Sequence, residues 1–293
     1  MSENTVTDRN KELAELFEQL KPNLVSTDTR VGEMAVYKND KVVSYALRLY
    51  GEYCNAEVEI MSNFLNKDSL YLDIGTNVGY HILGVHKKTG CKAIGFEPHI
   101  KHFAVASYNC QTYADIALVN AALSDTAGDI TLTDFDETKI ENYGEVKIPT
   151  EEVENTISAK AMRLDDIGLS ACHVMKIDVE GNEIKVLQGA ENTINAFRPV
   201  IMYEAMDEDV WAQCDAFMRD KNYKQYWIIS KTNPIAETYK PRSPDTDPFG
   251  QSSVPSVLCV PEEIEQYRNL VPVVQGEYAR ECINRYKNYK LVF

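Results

Sequence analysis

The sequence predicts an α/β fold: a Rossmann-like, doubly wound, mostly parallel seven-stranded sheet with an antiparallel edge. Three observations carry this. Short apolar runs alternate with stretches of helical spacing over most of the chain. The first two runs end in acids, Asp73 and Glu97. A glycine turn, Gly75-Thr76-Asn77-Val78-Gly79, follows the first of these acids, and open α/β sheets bind ligands beyond such strand ends.

The elements follow in order. Lys11 to Leu20 has the spacing of a short amphipathic helix. Met34 to Tyr37 and Val42 to Leu47, separated by Asn39-Asp40, predict a β-hairpin. Glu57 to Leu65 is helical in pattern and leads to the first sheet strand, Leu70 to Ile74. A helix from Tyr80 to Lys87 should stop at Gly90. Ala93 to Phe96 is the second strand, Ile100 to Thr112 the next helix and Ile116 to Asn120 the third strand. From 129 to 162 the pattern turns to alternation at Ile130 to Thr133, Val146 to Ile148 and Ile157 to Met162, which predicts a β insertion. Val174 to Ile177 is the fourth strand, and a helix over Asn182 to Ala196 ends before Pro199. Val200 to Tyr203 is the fifth strand, Trp211 to Asp220 a helix, and Gln225 to Ile229 and Val257 to Val260 the last two strands. Lys231 to Ser253 is a long Pro- and Ser-containing loop, read equally as a lid over an acceptor or as a plain surface excursion, and Gln275 to Phe293 predicts a helical tail. The domains are therefore a 1–56 extension of helix and hairpin, a 57–261 core with its insertion and loop, and a 262–293 tail.

Composition narrows the function. The 293 residues are 44% hydrophobic and 26% charged, as in a globular protein. A net charge of −15 and the lack of a basic stripe argue against nucleic acid as a partner. No apolar run is long enough to span a bilayer, and the N-terminus lacks a secretory pattern, so the expected location is cytoplasmic, away from membranes. Seven scattered cysteines without a C-x-x-C pair predict reduced thiols and no zinc site.

The turn chemistry separates two cofactors. A dinucleotide site wants G-x-G-x-x-G opening a helix, where backbone N–H groups meet a pyrophosphate. Here an acid stands two residues before Gly75, and it would repel a pyrophosphate. That acid suits an ammonium or a sulfonium, and S-adenosyl-L-methionine carries both. Glu97 can accept both ribose hydroxyls. Further on, Asp178 ends the fourth strand, Glu180 and Glu183 follow it, and Glu204 ends the fifth. Like charges so close need a cation, a proton or ligand hydrogen bonds. Asp178 and Glu204 offer hard oxygen ligands for Mg²⁺, although no full metal-ligand spacing accompanies them. His81, Asp178, Glu180 and Glu204 are the candidate bases for deprotonating a hydroxyl. Lys176 should pair with Asp178 or Glu204, and His99 should border an adenosine.

Several stretches resemble the successive motifs of the FkbM-type methyltransferases. They are Asp73-Ile-Gly-Thr-Asn-Val-Gly79, Gly95-Phe-Glu-Pro98, Asn120-Ala-Ala-Leu-Ser-Asp125, Leu164-Asp-Asp166, Lys176 through Ala190, and Arg198-Pro-Val-Ile-Met-Tyr-Glu204. The match runs in order from about 57 to 205, with Thr76 where the family commonly has alanine. The resemblance implies the methyltransferase form of the sheet and S-adenosylmethionine-dependent O-methylation of a sugar, polyketide or other small hydroxylated molecule. It implies that Asp73, Gly75, Thr76, Asn77 and Gly79 hold the methionine part. Glu97 with Pro98 would hold the ribose, and Ala121, Ala122 and Ser124 would border the adenine. Glu57 and Asp178 would reach the same pocket, with Asp178, His81 and Glu204 as the catalytic candidates. Two other readings compete: a nicotinamide-dependent oxidoreductase, weakened by the missing G-x-G-x-x-G, and a non-catalytic adenosyl- or partner-binding domain. The N-terminal extension would serve as a lid or as the contact of a homo-oligomer.

Overall fold

A computed structural model describes residues 3–232, 253–264, 270–275, 277 and 278. Five parallel strands form the heart of the main sheet: β3 (Leu70–Ile74), β4 (Lys92–Phe96), β5 (Ile116–Val119), β9 (Val174–Ile177) and β10 (Val200–Glu204). Their spatial order is β5-β4-β3-β9-β10, so the order reverses between β3 and β9. Beyond β10 the sheet turns antiparallel through β12 (Ser253–Pro261) and β11 (Tyr223–Lys231). A two-residue eighth strand, β13 (Val271–Pro272), adds to the predicted seven at that edge. β9 is buried at every position, which is why it reads as a continuous apolar run broken by a single lysine.

Strand parity builds the two faces. Tyr71, Val174, Val200 and Met202 join one core with α3 (Asn55–Ser62), α4 (Tyr80–Thr89) and α5 (Ile100–Cys110). Leu72, Met175, Ile201 and Tyr203 join the other with α6 (Glu183–Gly189), α7 (Glu191–Phe197) and α8 (Glu208–Asp220). Side chains alternate across a strand, so Asp73, Lys176 and Glu204 share the first face. The register confirms it: Asp73 pairs with Lys176, and Lys176 with Met202.

The N-terminal extension differs from its prediction. The helix α1 runs Glu3–Leu20, and the hairpin lies earlier than expected, as β1 (Leu24–Thr29) and β2 (Gly32–Tyr37). The segment Val42 to Leu47, expected as the second hairpin strand, falls in the helix α2 (Val43–Tyr50). Its buried Ala46, Leu47 and Tyr50 have helical spacing, which the short apolar run from Val42 concealed. Asn39-Asp40 is therefore a turn into a helix, with the Asp40 carboxylate accepting from the Val42 and Ser44 N–H groups.

The insertion forms its own small sheet, β6 (Ala122–Leu123), β8 (Thr156–Met162) and β7 (Gly128–Thr133). Val146 to Ile148, expected as a strand, joins no ladder. The helix predicted over Asn182 to Ala196 breaks at Ala190 into α6 and α7. There Gly189 lies so close to Ser124 that a Cβ would sit 1.9 Å from the Ser124 carbonyl oxygen. Most of the long loop and most of the C-terminal tail lie outside the described residues. The six described cysteines are all buried free thiols. No helix among the described residues is long and apolar enough to cross a membrane.

Candidate active site

A cleft of about 1230 Å³, part of it open to solvent, lies at the carboxyl ends of β3, β4, β9 and β10, where the strand order reverses. The glycine turn, Glu97 and Ala121 to Ser124 line one end; Asp178, Glu180 and Glu204 line the other.

At the first end the turn is held from below. Gly75 and Thr76 donate their N–H groups to the Phe96 carbonyl, and the Thr76 hydroxyl donates to the Asp73 carbonyl. Gly75 has φ +90°, and a Cβ there would lie 1.8 Å from the Asp178 carbonyl oxygen. Its missing side chain therefore serves the crossing of two strand-end loops. Glu97 is buried, and its two oxygens accept from the Asn77 and His99 N–H groups at 2.8 Å each. Burial pushes its carboxyl up to about 8 against those two donors. Each oxygen keeps a further lone pair for a ribose hydroxyl.

Asp73 is buried behind the turn and accepts from the Tyr71 hydroxyl at 3.0 Å. Its Oδ2 is buried with no hydrogen-bond partner among the described residues. Burial raises its carboxyl to about 6, opposed mainly by the Lys176 ammonium. A buried, unpartnered carboxylate oxygen is costly unless something completes it, and a donor's ammonium has the required charge.

The acidic end is organised by Lys176. This lysine is buried and donates to Asp178 Oδ2 at 2.7 Å. Burial alone would lower its pKa, but the carboxylates of Asp178, Glu57 and Asp73 outweigh that and raise it. Asp178, Glu180 and Glu204 each present one oxygen, all within 4.8 Å of one another. Glu180 sits at φ +52°, an unusual conformation for a side-chain-bearing residue. Burial and the Asp178 charge raise Glu180 to about 8; burial, Asp178 and Glu180 hold Glu204 well above the usual carboxylate range. Such a cluster is stabilised by a shared proton or by a hard cation.

Gly75, Thr76, Asn77, Glu97, Pro98, Ala121, Ala122, Ser124, Asp178, Glu204 and His81 are thus brought to one cleft, and Asp73, Glu57 and Gly79 stand behind it. Glu57 is buried and accepts from the Ser256 hydroxyl at 2.9 Å. His81 reaches the wall, but its Nε2 lies 3.7 Å from Glu57 Oε2 and makes no hydrogen bond. Burial, aided by Lys176, drives its pKa well below 6.5, which makes it a weak base. His99 does not border the cleft: it is fully buried, holds Asp134 at 3.1 Å and stacks on Phe135. His102, one helical turn on, lines the wall instead. Tyr53 and Asn142 also line it, in segments without a periodic signal, and so does Lys147, whose alternating segment predicts a strand instead of a cleft wall.

The sequence model of the methyltransferase FkbM domain matches residues 73–224. The chain belongs to the FkbM methyltransferase family. The match contains both ends of the cleft, from Asp73 to Glu204. Hexuronic acid methyltransferase AglP of Haloferax volcanii is 27% identical over 150 residues, covering 50% of this chain and 59% of that protein. The chain thus matches less than two thirds of that relative's length. Among solved structures, methyltransferase FkbM from Methylobacillus flagellatus KT has 14% identity and a TM-score of 0.44, covering 66% of this chain and 44% of that one. Precorrin-6y C5,15-methyltransferase from Geobacter metallireducens GS-15 has 12% identity and a TM-score of 0.43, covering 70% and 87%.

Proposed function

We propose that this FkbM methyltransferase uses S-adenosyl-L-methionine to methylate a hydroxyl of a sugar-like or other small hydroxylated metabolite. The observation that carries the reading is Glu97. It is a buried carboxylate at the end of β4, oriented by two N–H groups, facing a cleft beside the glycine turn. Ala121, Ala122 and Ser124 offer a small-residue wall for an adenine on the same side. Asp73, with its unpartnered Oδ2, provides charge for the ammonium. The hexuronic acid named for the Haloferax relative favours a sugar acceptor over a polyketide.

The cofactor supplies an activated methyl on a sulfonium; the protein's residues do the rest. Asp178 lines the acidic end, and Lys176 fixes its carboxylate. It is the group suited to take the hydroxyl proton as the new C–O bond forms. Glu204, whose carboxyl burial and its acidic neighbours raise well above the usual range, is suited to donate a hydrogen bond to the acceptor. The walls of Val42, Val43, Val146 and Ile148 limit water at the reacting atoms.

Calorimetric titration with S-adenosylhomocysteine and, separately, with NAD tests this. Micromolar binding of the first is expected, weakened at least roughly tenfold by Glu97→Ala, because two ribose hydrogen bonds to a buried carboxyl are lost. Preference for NAD would withdraw the reading.

A further inference from the structure

Residues 134–148 leave the insertion sheet and run across the cleft as a strap, with Asn142, Gly144, Val146, Lys147 and Ile148 in its wall. A Cβ at Gly144 would lie 3.9 Å from Asn77 Nδ2 and 3.8 Å from Val43 Cγ2, so the strap passes over the glycine turn and against the start of α2. The start of the strap is secured to the N-terminus of α5. Asp134 accepts from the Phe135 N–H and holds His99, whose own N–H goes to Glu97. Lys101 donates to the Phe135 carbonyl and to Glu137. Tyr143 is buried, stacks on Phe135 with centroids 4.3 Å apart and donates its hydroxyl to the Lys139 carbonyl.

Further along, at Tyr143, a second carboxylate fastens the strap, and beyond it Lys147 donates its N–H to the Thr133 hydroxyl and accepts from the Thr133 N–H. Asp40 is 3% exposed, and its oxygens accept from three backbone N–H groups: Val42 at 3.1 Å, Ser44 at 2.5 Å and Tyr143 at 3.3 Å. The first two open α2; the third belongs to the strap. Beside it, the Lys41 N–H donates to the Glu141 carbonyl, and Asn39 donates to the Glu137 and Thr138 carbonyls. Two segments about a hundred residues apart, neither part of the parallel sheet, thus meet at one buried charge above the cleft. Charge-assisted hydrogen bonds to backbone N–H groups are the strong ones, and leaving those donors buried without an acceptor is costly.

We propose that Asp40 is a positioning residue that clasps the strap over the donor end of the cleft, and so sets how tightly and how long the methyl donor is held. This rests on the reading of that end as the donor pocket. Asp40 touches neither the cleft surface nor any reacting atom; its effect passes through Val42, Val43 and Gly144, which form the wall it draws together.

The test has two arms. In ligand-free protein, hydrogen–deuterium exchange of Asp40→Ala should rise over 141–148 and 42–46 while 70–96 keeps its protection; unchanged exchange over 141–148 overturns the clasp. With S-adenosylhomocysteine, Asp40→Ala should raise Kd and the dissociation rate together, each roughly tenfold, and Asp40→Asn, which keeps one acceptor oxygen, should fall between. A dissociation rate within twofold of wild type in a folded variant also overturns it. Failure of the wild type to bind S-adenosylhomocysteine would instead overturn the donor pocket, and with it this role. Should Asp40→Ala not fold, Asp40→Asn decides by the same readouts, since lost stability with an unchanged dissociation rate marks a merely structural residue.

Discussion

Asp178 and Glu204 face the same space, yet their surroundings assign them different tasks. Lys176 holds one oxygen of Asp178 at 2.7 Å, whereas burial beside Asp178 and Glu180 favours the protonated form of Glu204. Asp178→Asn should therefore lower kcat by roughly 10²–10⁴, the usual span for losing a general base, with the Kd of S-adenosylhomocysteine within a few-fold of wild type. Steady-state kinetics with a hydroxylated acceptor and calorimetry together check it; an unchanged kcat would move the base elsewhere. The positions of these acids were legible in the sequence, since each ends an apolar run that had to be a buried strand. The demotion of His81 and the removal of His99 from the cleft were not. Whether a histidine's ring nitrogen faces a ligand, a carboxylate or nothing is decided by packing partners such as Glu57 and Asp134, which lie far off in sequence.

At the level of elements, the junction of β3 and β9 is the tightest part of the site. Any side chain at Gly75 overlaps the Asp178 backbone, and the φ of +90° adds strain. Gly75→Ala should destabilise the protein by about 2–4 kcal/mol, from overpacking with no flexible neighbour to yield; thermal or urea unfolding measures it. The folded fraction should lose kcat more than donor affinity, because the backbone displaced is that of Asp178. The five parallel strands were read correctly to within a residue because strands buried on both faces stand out as short continuous apolar runs, whereas β12 begins four residues before the predicted Val257. The α2 segment was misread because Val42 to Leu47 fits a strand as well as a helix; only the burial of Ala46, Leu47 and Tyr50 on one side distinguishes them. Val146 to Ile148 alternates like a strand but spends its pattern on the cleft wall instead of a ladder.

For the molecule as a whole, the site accumulates buried carboxyls whose protons are held more tightly in the folded state than in the unfolded one. Asp73 rises to about 6, Glu183 to about 7, and Glu97 and Glu180 to about 8, in each case chiefly through burial. A raised carboxyl adds stability that is complete below its unfolded pKa and disappears as pH climbs through the folded value. The buried His81, His99 and His102 act oppositely, since their lowered values add stability as pH rises toward about 6.5, and that gain is complete near pH 7. Between pH 7 and 8.5 the carboxyls act together with the six buried thiols, which burial also raises, so the melting temperature of ligand-free protein should fall across that window. Calorimetry on wild type and Glu97→Gln checks it: the variant should lose less, and a flat wild-type profile would contradict the burial of these protons. The same protons bear on metal. If Asp178, Glu180 and Glu204 are stabilised by sharing a proton, turnover should persist in chelator; loss of activity restored by Mg²⁺ would show that a cation occupies the cluster instead.

The contact between Gly75 and the Asp178 carbonyl has a consequence for anyone wishing to re-engineer this enzyme. The loop that would grip the donor and the loop that would bear the base touch backbone to backbone, with no side chain between them to be trimmed or enlarged. A chimera taking its acceptor specificity from another family member cannot import the segment after β9 alone. It must carry the matching turn after β3 with it, as a single cassette.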